Sequence, residues 1–547
     1  MTDREKDEAA ARILAVIRGR QETLSHADTE DILDRARRRA HATDGAPGAG
    51  FAWDPARRPA GSSPHMRLAD RCLFALGGVL LAVYFFRLTR PSLHVYFSPD
   101  DLMNLYRSWI FPAGALLKAN LLFFLNSGFI RPMGSVWYRL IYDVAGFHPF
   151  WFHAANLAIL LANAWLTYAV ARPLAGSREA ASLTALGMSY QPRLASLYFD
   201  TGFVYDVLCY FFLFAALVLY LGARERNERL RPWRWATLFV LYICALNSKE
   251  MAVILPPLLA AYELVYHAPQ SWRLASLRDW LLRESRAAVL AGAVAVLFLI
   301  GRSMGTSALT TGAAYRPSFT WSQFTRTSGH FLGDFLHTPD WPAWEVLLLW
   351  AVMASVVWGA RSRALAFAWL FLMISPLPVA FILPRSAAQY YVCVFGWVLY
   401  AAVLLARLAS VLARDAGPAH WWMARARGAV LFVVLMAILY SAYKPLGYGS
   451  FAGTLPGVEE NRRTVAQLHA AAPAIPHGSR LLFLDDPVAP SFYDLLFMVR
   501  LSYHDPSLEV FRAKTMTKTP APAEFSSYDY VFDYRDHRFF ALLQPRR

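Results

Sequence analysis

Cysteine is scarce in this chain. Its 547 residues include four, and Cys72, Cys209, Cys244 and Cys393 each lie inside an apolar segment. They therefore report nothing about disulfides, and their spacing matches no metal site. Acidic residues are also few beside basic ones: 39 Asp and Glu stand against 54 Lys and Arg, a formal charge of +15. Such an excess can signal nucleic acid, but no RNA- or DNA-binding motif is present and the arginines concentrate in alternate short loops. No internal repeat of the kind many transporters carry is visible. No cleavable signal peptide is expected, because the first apolar run comes late and is flanked by arginine, as in a signal anchor.

What the chain has is apolar length. The composition is 56% hydrophobic and 15% aromatic, with a mean hydropathy of +0.30. The apolar residues come in runs of about 17 to 22, enough to cross a hydrocarbon core as helices. In lipid each backbone amide needs a partner within its own segment, which requires helix. The expected fold is thus a polytopic α-helical membrane protein of about eleven transmembrane helices. The spans fall near 72–89, 151–171, 179–198, 203–222, 234–248, 251–267, 286–303, 344–360, 364–383, 390–407 and 428–443.

Loop charge sets the expected topology. Arg172 and Arg178, Arg224 to Arg234, Arg273 to Arg286, Arg361 and Arg363, and Arg407 to Arg427 occupy every second connection, which the positive-inside bias makes cytoplasmic. Residues 1–70 then form a cytoplasmic polar tail, with a helix from about Asp7 to Arg39 and a Gly/Pro/Ala/Arg-rich linker. Two long outer loops follow at 90–149 and 303–342. The first holds a semi-apolar helix, Asn104 to Leu125, interrupted by Pro112 and Gly114 and expected to lie along the interface. An odd number of spans puts 446–547 outside. There a helix (Val458–Ala471), a strand from Arg480 to Asp485, a helix (Phe492–Leu501) and strands near Leu508–Arg512 and Tyr528–Tyr534 suggest a small extracytoplasmic α/β domain. The Ala/Arg-rich composition suits a bacterial inner membrane, with that face periplasmic.

The chemistry-bearing residues gather at the outer ends of spans. Ser98-Pro99-Asp100-Asp101 reads locally as an N-cap, a first-turn proline and a capping box closed by Asp101. That account leaves Asp100 unexplained, and a carboxylate here can serve as general base. Arg131, Arg193, Lys249, Arg302 and Arg385 break the positive-inside pattern. A cation placed against the bias needs a partner: a lipid phosphate, or locally Glu250 or an aspartate such as Asp200 or Asp206. His153, Asn156 and Asn163 share one broad helix face, where polar groups serve as a site or as interhelical glue. Asp100, Asp101, Asp206 and Glu250 are hard oxygen ligands that admit a divalent metal, but nothing in their spacing demands one, and no cofactor is expected.

Taken in order, Asp100-Asp101, Arg131-Pro132, Tyr138-Arg139-Leu140, Gly146-Phe-His-Pro149 through His153 to Asn156, Asn247-Ser-Lys249-Glu250 and Pro384-Arg385 through Gln389-Tyr390-Tyr391 resemble the GT-C superfamily of integral membrane glycosyltransferases. The similarity covers roughly 72–445 and is nearest to the protein O-mannosyltransferase-like branch and the membrane half of the TPR-containing O-mannosyltransferases. The resemblance implies a polyprenyl-phosphate-linked sugar donor and an acceptor protein, glycan or lipid. It also implies an acidic base in the first loop and inversion at the sugar carbon. On that mapping Asp100 is the base and Asp101 its support, while Arg131, His153, Asp206, Lys249, Glu250, Arg385 and Tyr390 contact substrate. Two features depart from the family: Gln389 stands where a Glu- or His-containing motif is common, and no TPR array follows. An O-antigen ligase or polymerase, and a non-catalytic transporter or assembly subunit, are the competing readings.

Overall fold

The computed structural model describes residues 64–125, 131–228, 230–303, 315–412, 421–536 and 538–543. The expected N-terminal helix and linker, and Arg414 of the last basic loop, lie outside the described residues.

Among the described residues eight helical segments are long and apolar enough to cross a membrane. They include α1 (Pro64–Thr89), α5 (Pro149–Ala175), α7 (Val204–Glu225), α11 (Arg286–Ser303), α13 (Ala343–Ala360), α14 (Arg363–Ile374, extended by a turn to Ala380), α15 (Tyr391–Leu412) and α16 (Trp421–Tyr443). The remaining three expected spans are shorter: α6 (Arg178–Ser189) and α9 (Leu255–Tyr266) have 12 residues each, and α8 (Pro232–Ser248) has 17; α10 (Leu274–Arg283) and α12 (Trp321–Leu336) lie in the connections before α11 and α13. A 12-residue helix rises only about 18 Å, well short of a ~30 Å hydrocarbon core. The cause is local. Pro192 follows α6 in a separate 3₁₀ turn, and a 3₁₀ stretch at Glu250–Ile254 delays the start of α9.

Polar side chains stitch the bundle together. Asn156 Nδ2 donates to Leu197 O at 2.8 Å, and Asn163 Nδ2 reaches Val207 O at 3.0 Å. Thr167 and Tyr210 share a 2.6 Å hydrogen bond. These bonds join α5 to α7 and its approach, where apolar packing alone distinguishes poorly between helix and lipid. At the arginine-rich ends, Arg224 meets Glu263 at 2.5 Å and Glu284 at 2.6 Å, and Arg427 meets Glu179 at 3.0 Å.

The first outer loop folds as α2 (Pro99–Ile110), α3 (Ala113–Leu121) and α4 (Pro132–Ala145). The expected 104–125 helix is therefore two helices, broken at Phe111-Pro112, because a proline cannot continue an α-helix. The capping box at Ser98 and Asp101 forms as its sequence implies.

The tail holds α17 (Leu455–Ala471), β1 (Arg480–Phe483), α18 (Asp494–Ser502), β2 (Glu509–Arg512), β3 (Tyr530–Arg535) and β4 (Arg538–Leu543). The sheet order is β2-β1-β3-β4, parallel except for the β3–β4 hairpin. The fourth strand escapes a sequence reading because it is an edge strand with only Phe539 buried. This layer does not stand apart. Leu481, Phe483, Leu495, Met498 and Phe532 belong to the same apolar core as Phe97, Leu102, Leu105 and Tyr138. Tyr142 donates to Leu501 O at 2.7 Å, Asn461 to Phe97 O at 3.1 Å, and Phe497 stacks on Tyr106 at 4.9 Å. Tail and first outer loop thus share one face.

Candidate functional site

Two consecutive carboxylates at the start of α2 have opposite surroundings. They sit about 100° apart around the helix, so one faces the core and the other leaves it. Asp101 is wholly buried. Its Oδ2 accepts from Ser98 N at 3.0 Å, and its Oδ1 accepts from Thr201 Oγ1 at 2.5 Å and Tyr138 OH at 3.2 Å. Burial pushes its carboxyl up from an ordinary 3.8 to about 6, against the pull of those hydrogen bonds. Asp100 is exposed, and among the described residues no hydrogen bond or ion pair engages its carboxylate.

A third carboxylate closes on the pair from the turn before α7. Asp200 Oδ1 accepts from Ser98 Oγ at 3.0 Å and from Gly202 N at 2.9 Å. Burial and then the nearby Asp101 push Asp200 well above the usual carboxylate range. Gly202 is there for a reason of space. A Cβ on it would sit 2.9 Å from Asp200 Oδ1 and 3.0 Å from Asp100 Cβ. A methyl group at that point would displace one of the two aspartates.

Beyond this acidic corner lie the cations. Arg131 stands at the N-terminal boundary of α4 and pairs with Glu250, its Nε and Nη2 at 3.2 and 3.0 Å from one carboxylate oxygen. Burial works to raise Glu250, but Arg131 overrides it and holds the carboxyl below its usual range. Lys249 is buried against Asp206, their side chains 5% and 6% exposed. Arg302, near the end of α11, acts electrostatically on both Glu250 and Arg131. Arg385 lies over the Tyr315 ring at 4.2 Å, and Tyr315 in turn acts on Arg131.

Tyr205 connects the two halves. The Arg131 guanidinium stands 5.7 Å from the centre of its ring, and its charged neighbours are Arg131, Arg107, Asp101 and Asp100. Arg131 thus lies over the Tyr205 ring, and Asp100 is near enough for its charge to act on the same side chain.

Two remaining candidates sit elsewhere. His153 is buried beside Val95 and takes part in no ion pair among the described residues. Tyr390 is buried against Phe331, ring centres 4.2 Å apart, in an apolar crevice also lined by Trp350 and Trp397. Sequence reasoning did not single out Tyr205, Gly202, Thr201 or Asp494 of α18. The first three adjoin Asp200 in the chain, and that proximity was the available signal. For Asp494, nearly four hundred residues from Asp100, there was none. No three His, Cys, Asp or Glu groups among the described residues converge so as to hold a metal ion.

No protein-family model matches the chain, and no curated protein matches it. Among solved structures it is similar to an oligosaccharyltransferase of Archaeoglobus fulgidus in the apo form, at 12% identity and a TM-score of 0.44, over 80% of this chain and 64% of that one. The chain therefore spans less than two thirds of the archaeal protein. It is similar also to ArnT from Cupriavidus metallidurans bound to undecaprenyl phosphate, at 13% identity and a TM-score of 0.45, over 86% and 99% of the two chains. Apo ArnT gives 14% identity and a TM-score of 0.43, over 86% and 94%.

Proposed function

We propose that this integral membrane protein is a GT-C-type glycosyltransferase. It moves a sugar from a polyprenyl-phosphate-linked donor to an acceptor hydroxyl at the face carrying α2, by a single inverting displacement with Asp100 as base. One observation carries the reading. Asp100 is an exposed carboxylate that no hydrogen bond or ion pair among the described residues engages, and Tyr205, on whose ring Arg131 stands 5.7 Å from the centre, feels the charge of both.

The chemistry follows from that polarity. Asp100 takes the proton of the acceptor hydroxyl as its oxygen attacks the anomeric carbon. On the opposite side the bond to the lipid phosphate breaks and the phosphate gains charge. Arg131, Arg302 and Arg385 are the cations aimed at that developing charge, and they stabilise the transition state more than the ground state. Lys249 takes a supporting part. Its ammonium is committed to Asp206, and the backbone turn it anchors leads directly to Glu250, which orients Arg131. Asp101 keeps Asp100 in place by fixing the first turn of α2.

The test is direct. Purified protein in nanodiscs is incubated with a panel of radiolabelled polyprenyl-phospho-sugars and the anomeric configuration of the product is read. Asp100→Asn should lower transfer by about 10²- to 10⁴-fold with unchanged insertion and thermal stability. Wild-type turnover in that variant rejects the base assignment; a retained anomer rejects the single displacement.

A further inference from the structure

The tail contributes a wall to the same site. Asp494, the first residue of α18, is buried, and its charged neighbours are Asp100 and Arg512. α18 runs along α2, with Phe497 stacked on Tyr106 and Arg500 bonded to the Tyr106 hydroxyl. The β1–α18 loop, residues 485–493, therefore arrives beside Asp100. It leaves the carboxyl end of β1, which lies between parallel β2 and β3, the crevice position where open α/β sheets bind ligands.

This loop is held rigid from below. Arg512, 7% exposed, makes two bonds to Asp486 at 2.8 and 2.9 Å and donates to the carbonyls of Val488, Ala489 and Phe492. Lys514 adds a second contact to Asp486 at 3.0 Å. Burying such ions stabilises a fold little, since desolvation offsets the attraction. What they provide is a fixed loop. Its last two residues, just before α18, present large rings to solvent: Phe492 is 54% exposed and Tyr493 72%.

We infer that loop 485–493 is the acceptor wall of the Asp100 site and that it takes a neutral carbohydrate ring, stacked on Phe492 and Tyr493. The inference rests on the glycosyltransferase reading and narrows its acceptor. A pyranose offers an apolar C–H face to an aromatic ring and a hydroxyl edge to carboxylates, the two surfaces found here. A peptide acceptor is disfavoured because three of the loop carbonyls are occupied by Arg512, leaving little backbone to pair with. A phosphate-bearing lipid or an anionic membrane surface is disfavoured by charge. Asp100 and Asp494 are the carboxylates beside the loop, while Arg512 and Lys514 are committed to Asp486, Lys514 also lying 3.8 Å from Asp485. The site is thus basic at its donor end and acidic at its acceptor end.

Saturation-transfer NMR on the full chain in nanodiscs tests this, with methyl α-mannopyranoside, diacetylchitobiose and a serine-rich peptide as probes. Ring C–H signals are expected from a saccharide, with binding about tenfold weaker in Phe492→Ala and Tyr493→Ala. Signals from the peptide alone, no saccharide signal, or a saccharide signal that both variants keep would each overturn the inference. A nitroxide at Tyr493→Cys, in a Cys72→Ala and Cys244→Ala background, covers the membrane alternative. Water accessibility supports the wall, and immersion in the bilayer overturns it. Radiolabelled donor in the same preparation separates the two readings. Transfer with unchanged acceptor KM in both variants sinks the wall and spares the transferase; saccharide binding with no transfer from any donor does the reverse.

Discussion

Replacing Asp101 with Asn isolates what a buried carboxylate does for this fold. Asp101 receives three donors, two on Oδ1 and one on Oδ2. Asparagine keeps one acceptor oxygen and turns an amide N–H toward a donor on its other side. At least one hydrogen bond to a charged acceptor is lost, about 1.5–3 kcal/mol. Against this stands the cost of keeping Asp101 ionised in the interior. Its carboxyl rises from 3.8 to about 6 on folding, which corresponds to roughly 3 kcal/mol between the charged and neutral forms. The sign is fixed by linkage. A folded value above the unfolded one means the native state holds its proton more tightly. That contribution is complete below the unfolded value and is lost as pH rises through about 6. The variant has no such contribution. Thermal unfolding in detergent should therefore show wild type losing stability relative to Asp101→Asn between about pH 4 and pH 6, by up to roughly 3 kcal/mol. Near neutral pH the two effects offset and the variant should unfold close to wild type. Parallel pH profiles for the two proteins would refute the argument, because they would mean that Asp101 does not titrate against its burial.

Other perturbations follow from the same geometry. Gly202→Ala places a methyl group 2.9 Å from Asp200 Oδ1 and 3.0 Å from Asp100 Cβ. Transfer should fall by about 10²-fold with little change in melting temperature, and a fully active variant would mean that the placing of Asp100 and Asp200 beside Gly202 does not matter to transfer. Lys249→Met leaves Asp206 buried and unpaired, which should destabilise by about 3–5 kcal/mol; adding Asp206→Asn should recover most of it in the same unfolding assay. Arg131→Ala frees Glu250 and removes a cation from the donor end. Donor KM should rise while acceptor KM holds, and equal changes in both would count against a phosphate contact.

The membrane class and the start of α2 are legible in the sequence because both are local. Apolar run length reads directly as crossing capacity, and Ser98-Pro99-Asp100-Asp101 carries its own capping geometry. Three of the expected spans show where that logic stops, because their helices are shorter than the other eight. Run length counted 179–198 and 251–267 as continuous, yet Pro192 and the 3₁₀ stretch after Lys249 divide them, while 234–248, with its flanks, is one unbroken helix of 17 residues. Hydropathy does not register such breaks. Within the bundle, α6 finds its apolar surroundings among other helices: eight of its residues, Ala180 and Leu186 among them, are buried.

Partner choice was open at the level of sequence. That Arg131 would need an anionic partner, a lipid phosphate or a local carboxylate, follows from its charge against the loop bias; that Glu250 pairs with it, and that Lys249 turns instead to Asp206, depends on how α4, α7 and the turn before α9 pack. The acidic corner is the same case. Asp101 and Asp200 meet through Ser98 and Thr201 across a hundred residues, and Asp494 reaches Asp100 only because the tail's core is continuous with that of α2. Capping and apolar run length are set by neighbours in the chain, so the amino-acid order determined them by itself. Which charges face one another is set by interior packing between distant segments, where burial makes an unmatched ion costly, and that only the tertiary structure decided.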